Sequence, residues 1–414
     1  MKVLHLNHSD SIGGAANYTR RIHESLCNRG HDSYMCCSSV KLDDPRIFRV
    51  NPSMNEYRAL LKAKMSQWTD QKISLLEKTA SPNYTSAGWV GAVSSKWINK
   101  SDFDIVHLHW INGGLISIRE IGLIKKPIVW SMLDMWPFLG VNHYENFENE
   151  ARWVKGFNEV RRPQGHKGID LNGITSQKKI SSWASGINFI SPGDWLKGQA
   201  RVSSILKRED ISVIPPALDT MKFSPYSGKE RDIRSDKFTI GYGGALANRK
   251  GWPLFQKFLN TFSSNLFESR IITFGSESSD EFKSPYYEVL QMGRHKSEEE
   301  LKSIYRQLDV LIFPSTVEAY GLISQEAQSC GVPVICISNT GAEDVIIPNE
   351  TGLAIENNIQ ALTEAIEMYK LNRDYLKSSS VRARTHAESS WGYEVVSKQL
   401  ESLYTRVLKE HKTY

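Results

Sequence analysis

The sequence predicts an α/β protein with two domains, each built on its own doubly wound parallel sheet. Three observations carry this. The chain has 414 residues, more than one hydrophobic core usually organises. Short apolar runs rich in β-branched residues alternate with longer helical patterns, as βαβ units require. A proline pair near the middle, Pro215-Pro216, cannot sit inside a helix or a central strand and so marks a domain crossing.

The first series of expected strands is Lys2 to Leu6, Ile105 to His109, Ile128 to Ser131, Asn188 to Ser191 and Ile211 to Ile214. A second series comprises Thr239 to Tyr242, Arg270 to Phe274, Val289 to Met292, Val310 to Phe313 and Val332 to Ile337. Between them lie Pro215-Pro216-Ala217-Leu218-Asp219 and a polar stretch from Ser224 to Lys237, which gives expected domains of 1–220 and 221–390. Val395, Leu400, Leu403 and Val407 recur near helical spacing, so 391–414 is expected to form an amphipathic helix that packs back on the first domain.

Composition bounds the function class. Hydrophobic residues make up 40% and charged residues 23%, an ordinary globular balance with no disorder signature. Five scattered cysteines without a C-x-x-C pair argue against a disulfide scaffold or a zinc ribbon and suit a reducing cytoplasm. No run approaches the 18 apolar residues of a spanning helix, and the N-terminal apolar run is too short for a secretory core. Residues 1–220 hold 28 Lys+Arg against 21 Asp+Glu (+7), and the remainder 23 against 25 (−2). That asymmetry suits an anionic partner such as a phosphorylated lipid or the cytoplasmic leaflet, or is simply a solvated lysine excess. Tyr57, Leu61, Met65, Trp68 and Leu75 form a stripe flanked by Arg58, Lys62, Lys64 and Lys72. Such a stripe either lies on a membrane surface or is the core face of a soluble helix.

Directly after the first strand come Gly13-Gly14 and a helical pattern, where a ligand can approach backbone N–H groups at a helix N-terminus. Turn geometry alone can also demand those glycines. The second domain repeats the device: Gly243-Gly244 follow a strand, and Arg249-Lys250 stand at the mouth of the next helix. This is a clamp for a diphosphate, or a solvated basic pair. The most specific signal is Phe313 to Ala327 followed by Cys330-Gly331-Val332-Pro333-Val334. A strand ends, a loop carries Glu318, Gly321 permits a sharp turn, and a helix brings up Glu326 eight residues later. Both carboxylates are then expected at the carboxyl ends of the strands, where open α/β sheets bind ligands. One can accept hydrogen bonds from ribose hydroxyls while the other contacts a transferred sugar.

With these residues in hand, the chain resembles the retaining glycosyltransferases of family 4, which have the GT-B fold of two facing Rossmann-like domains with a cleft between them. The likeness rests on the E-x7-E motif at Glu318 and Glu326, supported by Gly13-Gly14, Ile214 to Asp219, Lys250-Gly251 and Gly341. The run Trp130 to Phe138 resembles members that build bacterial surface polysaccharides. The resemblance implies a nucleotide-sugar donor held by the second domain and a glycan or lipid-linked acceptor held by the first. It implies catalytic roles for Glu318, Lys250, Arg249 and Asp134, and donor contacts from Gly13, Gly14, Gly243, Gly244, Tyr320, Gly321, Leu322 and Glu326. His107, His109 and His143 are acceptor-side candidates. No cofactor, no metal and no nucleic acid are expected, and the expected place is the cytoplasm, with peripheral contact to the inner face of the membrane.

The sequence departs from the family pattern at three places. Leu133 replaces the usual His before Asp134, Ala245 stands where an Arg is usual, with Arg249 as its substitute, and Pro216 replaces an asparagine. Asp102-Phe103-Asp104 spells a metal-binding Asp-x-Asp but precedes a strand, at the end opposite the ligand crevice, and so reads as a loop. Two other readings of the same frame are an epimerase or hydrolase acting on sugar nucleotides, and a nucleotide-sugar binding protein without catalysis.

Overall fold

The computed structural model describes residues 1–77, 84–145, 150–162, 168–183, 186–207, 209–225, 237–261, 269–277, 287–294 and 297–411. Most of the polar stretch expected from Ser224 to Lys237 lies outside the described residues. The chain divides into two compact units, one of Met1–Ala217 with Val396–Tyr414 and the other of Leu218–Val395. The crossing at 217/218 follows Pro215-Pro216 directly.

The first unit is a seven-stranded sheet of β1 (Lys2–Ser9), β2 (Asp32–Ser39), β3 (Ile47–Arg49), β4 (Ile105–Leu108), β5 (Ile128–Ser131), β6 (Ile187–Ser191) and β7 (Ile211–Val213), in the order β3-β2-β1-β4-β5-β6-β7. Every pairing is parallel, with β1 and β4 in register at Val3↔Ile105 and His5↔His107. β4 and β5 are buried along their whole length, which is why they read as continuous apolar runs. β2 and β3 were not expected. The sequence of β2, DSYMCCSS, lacks β-branched residues and becomes a strand through its seven-residue register with β1. Asp102 and Asp104 bind Lys2 at the amino ends of β1 and β4, Lys2 Nζ to Asp102 at 2.7 Å and the Lys2 amide to Asp104 at 2.7 Å.

Two helices of this unit show which of their faces looks inward. Glu56–Ser74 buries Ala59, Ala63, Asp70 and Ser74. Asp70 accepts from the Gly88 amide at 2.8 Å, and burial pushes its carboxyl up to about 6. The large apolar stripe is turned outward instead, with Tyr57 73%, Met65 61%, Trp68 61% and Leu75 71% exposed. Small residues sit inward because the helix backbone packs closely there: a Cβ on Gly114 would lie 2.4 Å from the Ser66 carbonyl carbon. At the other end of the chain, Tyr393–His411 buries Val396, Leu400, Leu403, Tyr404 and Val407, a face that starts at Val396 rather than Val395. Glu401 receives Arg29 at 2.6 and 3.0 Å and His31 at 2.8 Å.

The second unit has β8 (Phe238–Gly243), β9 (Ser269–Phe274), β10 (Glu288–Gln291), β11 (Val310–Phe313), β12 (Val334–Ile337) and β13 (Gly352–Ile355), in the parallel order β10-β9-β8-β11-β12-β13. Alternate residues serve opposite faces. Ile272, Phe274, Leu311, Phe313, Val334 and Cys336 share one cluster with Tyr305, Ala327 and Trp391. Ile240, Tyr242, Ile271, Val310, Ile312 and Ile335 share the other with Trp252, Phe255, Leu362 and Tyr369. Each fully buried Ile, Leu or Phe contributes roughly 1.5–3 kcal/mol, so these two layers hold the carboxyl-end loops in place. Among the described residues no helix is long and apolar enough to cross a membrane.

Candidate functional site

In the second unit the site grows from the ends of β8 and β11. After Gly243-Gly244 the chain makes one 3-10 turn, Asn248–Lys250, closed by Gly251 in the left-handed region at φ 72°. A Cβ on Gly251 would lie 1.9 Å from the Pro314 carbonyl oxygen. Only glycine allows that approach, and it brings Arg249 and Lys250 against the loop after β11. Lys250 Nζ pairs with Glu318, and Arg249 Nη1 stands 3.6 Å from the same carboxylate while donating to the Val317 carbonyl at 2.8 Å. Burial alone would raise the Glu318 carboxyl; Lys250 and Arg249 beside it, with the Ala319 N–H, hold it below its ordinary value. Gly341 donates its amide to the Glu318 carbonyl at 3.1 Å, and a Cβ there would meet that oxygen at 2.4 Å. Gly321, at φ 114°, begins the helix Leu322–Ser329. Tyr320 is 5% exposed.

Glu326 has a different neighbour. It sits in that helix, 2% exposed, and accepts from the Tyr305 hydroxyl at 2.8 Å. Cations therefore hold Glu318, whereas Glu326 is held by a phenol at the end of the helix Glu298–Tyr305. Tyr305 was not anticipated, since nothing in its sequence position marks it as a partner across 21 residues. The buried hydroxyls of Ser315 and Ser324, on either side of this loop, have no partner among the described residues.

In the first unit, Gly13 takes φ 86° at the start of Gly14–Asn28, with open space where a Cβ would be. Asp134 follows β5. Its Oδ1 accepts from the Trp136 amide at 2.9 Å, and its Oδ2 from Trp110 Nε1 at 2.9 Å and His143 Nδ1 at 2.5 Å. A carboxylate only accepts, so Nδ1 donates; in the neutral ring Nε2 then accepts from Ser86 Oγ at 2.9 Å. Lys179 locks the following loop. Its ammonium, fully buried, donates to the carbonyls of Trp136, Leu139 (2.9 Å) and Gly140 (2.8 Å) and lies 3.6 Å from the Trp136 ring centre. Burial pushes its pKa well down.

Of the three histidines expected on the acceptor side, only His143 meets Asp134. His107, within the fully buried β4, and His109, just after it, are 0% and 2% exposed. His107 is bonded to Tyr404 (2.7 Å) and Ser131 (2.8 Å), and His109 to His5 (2.9 Å). Burial lowers all three rings, His107 to about 3. One nitrogen from each of His5, His107 and His109 lies within 4.8 Å of the others, with neutral ligands alone.

The profile of the glycosyl transferases group 1 matches residues 227–386. The capsular polysaccharide biosynthesis glycosyltransferase CapM of Staphylococcus aureus is 27% identical over 59% of this chain and 68% of its own length. The D-inositol 3-phosphate glycosyltransferase of Paenarthrobacter aurescens is 27% identical over 94% and 92%. Together these matches support a glycosyltransferase of the family 4 type. Solved structures show the fold of the transferase to be GT-B. Sucrose-phosphate synthase of Thermosynechococcus elongatus aligns at TM-score 0.64, with 15% identity over 99% of this chain and all of its own. Anabaena HepE in complex with UDP and glucose aligns at 0.60, with 13% identity over 98% and 99%.

Proposed function

We propose that the transferase moves a sugar, with retention of configuration, from a nucleoside-diphosphate donor to a glycan or lipid-linked glycan of a surface polysaccharide such as capsule, O-antigen or exopolysaccharide. The observation that carries this is Glu318 bracketed by Lys250 and Arg249 at the carboxyl ends of β8 and β11. Two cations against one carboxylate leave a net positive pocket, which suits a diphosphate. As the bond from the anomeric carbon to the phosphate oxygen breaks, those cations take up the charge developing on the leaving group. The acceptor oxygen bonds to the anomeric carbon, and its proton passes to the departing phosphate on the same face. In this reading the second unit holds the donor through Gly243, Gly244, Tyr320, Gly321, Leu322 and Glu326, and the first unit holds the acceptor near Asp134. No metal takes part, because Arg249 and Lys250 supply the positive charge.

The surface-polysaccharide role draws on CapM, named for capsular polysaccharide biosynthesis. Peripheral contact with an anionic membrane, at the cytoplasmic face, draws on the outward stripe of Glu56–Ser74 with Arg58, Lys62 and Lys72 beside it.

A thermal-shift screen of UDP, GDP and ADP tests the donor. A ligand of the native state raises the melting temperature, and Lys250→Ala should weaken the responding diphosphate by about 1–3 kcal/mol. No response to any nucleotide would defeat the reading; turnover of nucleotide sugar with every acceptor ignored would replace it with hydrolysis or epimerisation.

A further inference from the structure

Trp110, at the carboxyl edge of the first sheet, is fixed at every polar atom yet not fully buried. Its amide donates to Asn7 Oδ1 at 3.0 Å, its carbonyl accepts from the His8 amide at 2.9 Å, and its indole N–H is spent on Asp134. Rings surround it: His8 meets it edge-on at 5.5 Å, His143 lies tilted at 5.5 Å, and Tyr84 at 5.9 Å. Tyr84 also lies 5.0 Å from His143 and is 54% exposed. Two residues beyond Trp110, Asn112 is 4% exposed, and its amide nitrogen has no partner among the described residues.

A buried amide donor left unpaired is destabilising and calls for a reason. An indole whose N–H is already used can offer a ligand only its apolar surface, and that surface is immobilised before anything binds, which lowers the entropy cost of binding. A pyranose has the matching chemistry, with a face of C–H groups and a rim of hydroxyl oxygens. The position also fits, since ligands of parallel sheets gather at the carboxyl ends of the strands.

We propose that Trp110 and Tyr84 form a stacking platform for the acceptor sugar, with Asn112 Nδ2 donating to one of its oxygens. This rests on the transferase reading above and names the acceptor subsite within it. Asp134 and His143 act behind the platform as positioning residues that fix the plane of the indole.

The full chain is labelled with 5-fluorotryptophan, and the Trp110 fluorine line among the eleven tryptophans is assigned with Trp110→Phe. It is then titrated with the methyl glycosides of glucose, galactose and mannose, with glycerol as a polyol control. The expected result is a saturable shift of the Trp110 line with at least one glycoside and none with glycerol. In saturation-transfer spectra of the unlabelled protein, Trp110→Ala should weaken that glycoside at least tenfold and Trp110→Phe no more than about threefold. A Trp110 line unmoved by all three glycosides overturns the platform, and so does equal binding by Trp110→Ala. Because no nucleotide is present, the platform can fail while the donor reading stands, and the reverse.

Discussion

Glu318 and Asp134 are both carboxylates at the edge of a parallel sheet and are nearly equally buried, with 10% and 8% of their side chains exposed. They are neutralised in opposite ways. Glu318 faces an ammonium and a guanidinium, so charge is met by charge, two cations to one carboxylate. Asp134 is satisfied by an indole, an imidazole and a backbone amide, which fix direction and contribute little net charge. The first arrangement is built to meet an anion; the second is built to hold rings still.

The contrast can be broken most severely at Lys250. Lys250→Ala should lower the rate with saturating donor about 100- to 1000-fold, as loss of a leaving-group contact does, whereas Asp134→Asn keeps the shape of its network and should cost about tenfold; steady-state kinetics of both variants check the ratio. Next comes Lys179→Met, which strands three buried carbonyls and should cost about 3 kcal/mol in denaturant unfolding, showing that the Asp134 loop depends on one ammonium. Gly251→Ala should cost about 2–3 kcal/mol by the same measurement, because it combines a positive φ with contact on the Pro314 carbonyl. Loss of donor-induced stabilisation in that variant would tie the strain to the cation loop.

A smaller effect comes from pH. The rings of His5, His107 and His109 are held below their ordinary 6.5 in the folded chain. The unfolded chain therefore binds more protons beneath pH 6.5. Their stabilising contribution is full above 6.5 and is lost as pH falls toward about 3, at up to about 1.4 kcal/mol per pH unit for each ring. Urea unfolding between pH 7 and 4 should show this slope, and His107→Gln should flatten it. Smallest of all, Met65→Glu should leave stability within about 0.5 kcal/mol while reducing sedimentation with phosphatidylserine vesicles.

The sequence made some of this legible and hid the rest for physical reasons. β4, β5 and β11 are buried on both faces, so their apolar runs announced them. β2 is polar and cysteine-rich and is defined by its neighbour, and β13 is four residues beginning with a glycine. Arg249, Lys250 and Glu318 were readable because each lies on a short glycine-marked loop. Trp110, Ser86 and Lys179 were not, because their partners lie 24 to 57 residues away and no local pattern encodes such pairings. The stripe from Tyr57 to Leu75 had two readings because periodicity fixes which residues share a face, not which face looks inward.

The return of residues 396–411 to the first unit sets an order on synthesis. Residues 218–395 form an uninterrupted stretch that can complete its own sheet as soon as it leaves the ribosome. The first unit has all seven strands by Val213 but not its cover: the hydroxyl bonded to His107 belongs to Tyr404, 297 residues later. Until that helix is made the packing over His107 is incomplete, so the unit begun first is the unit completed later.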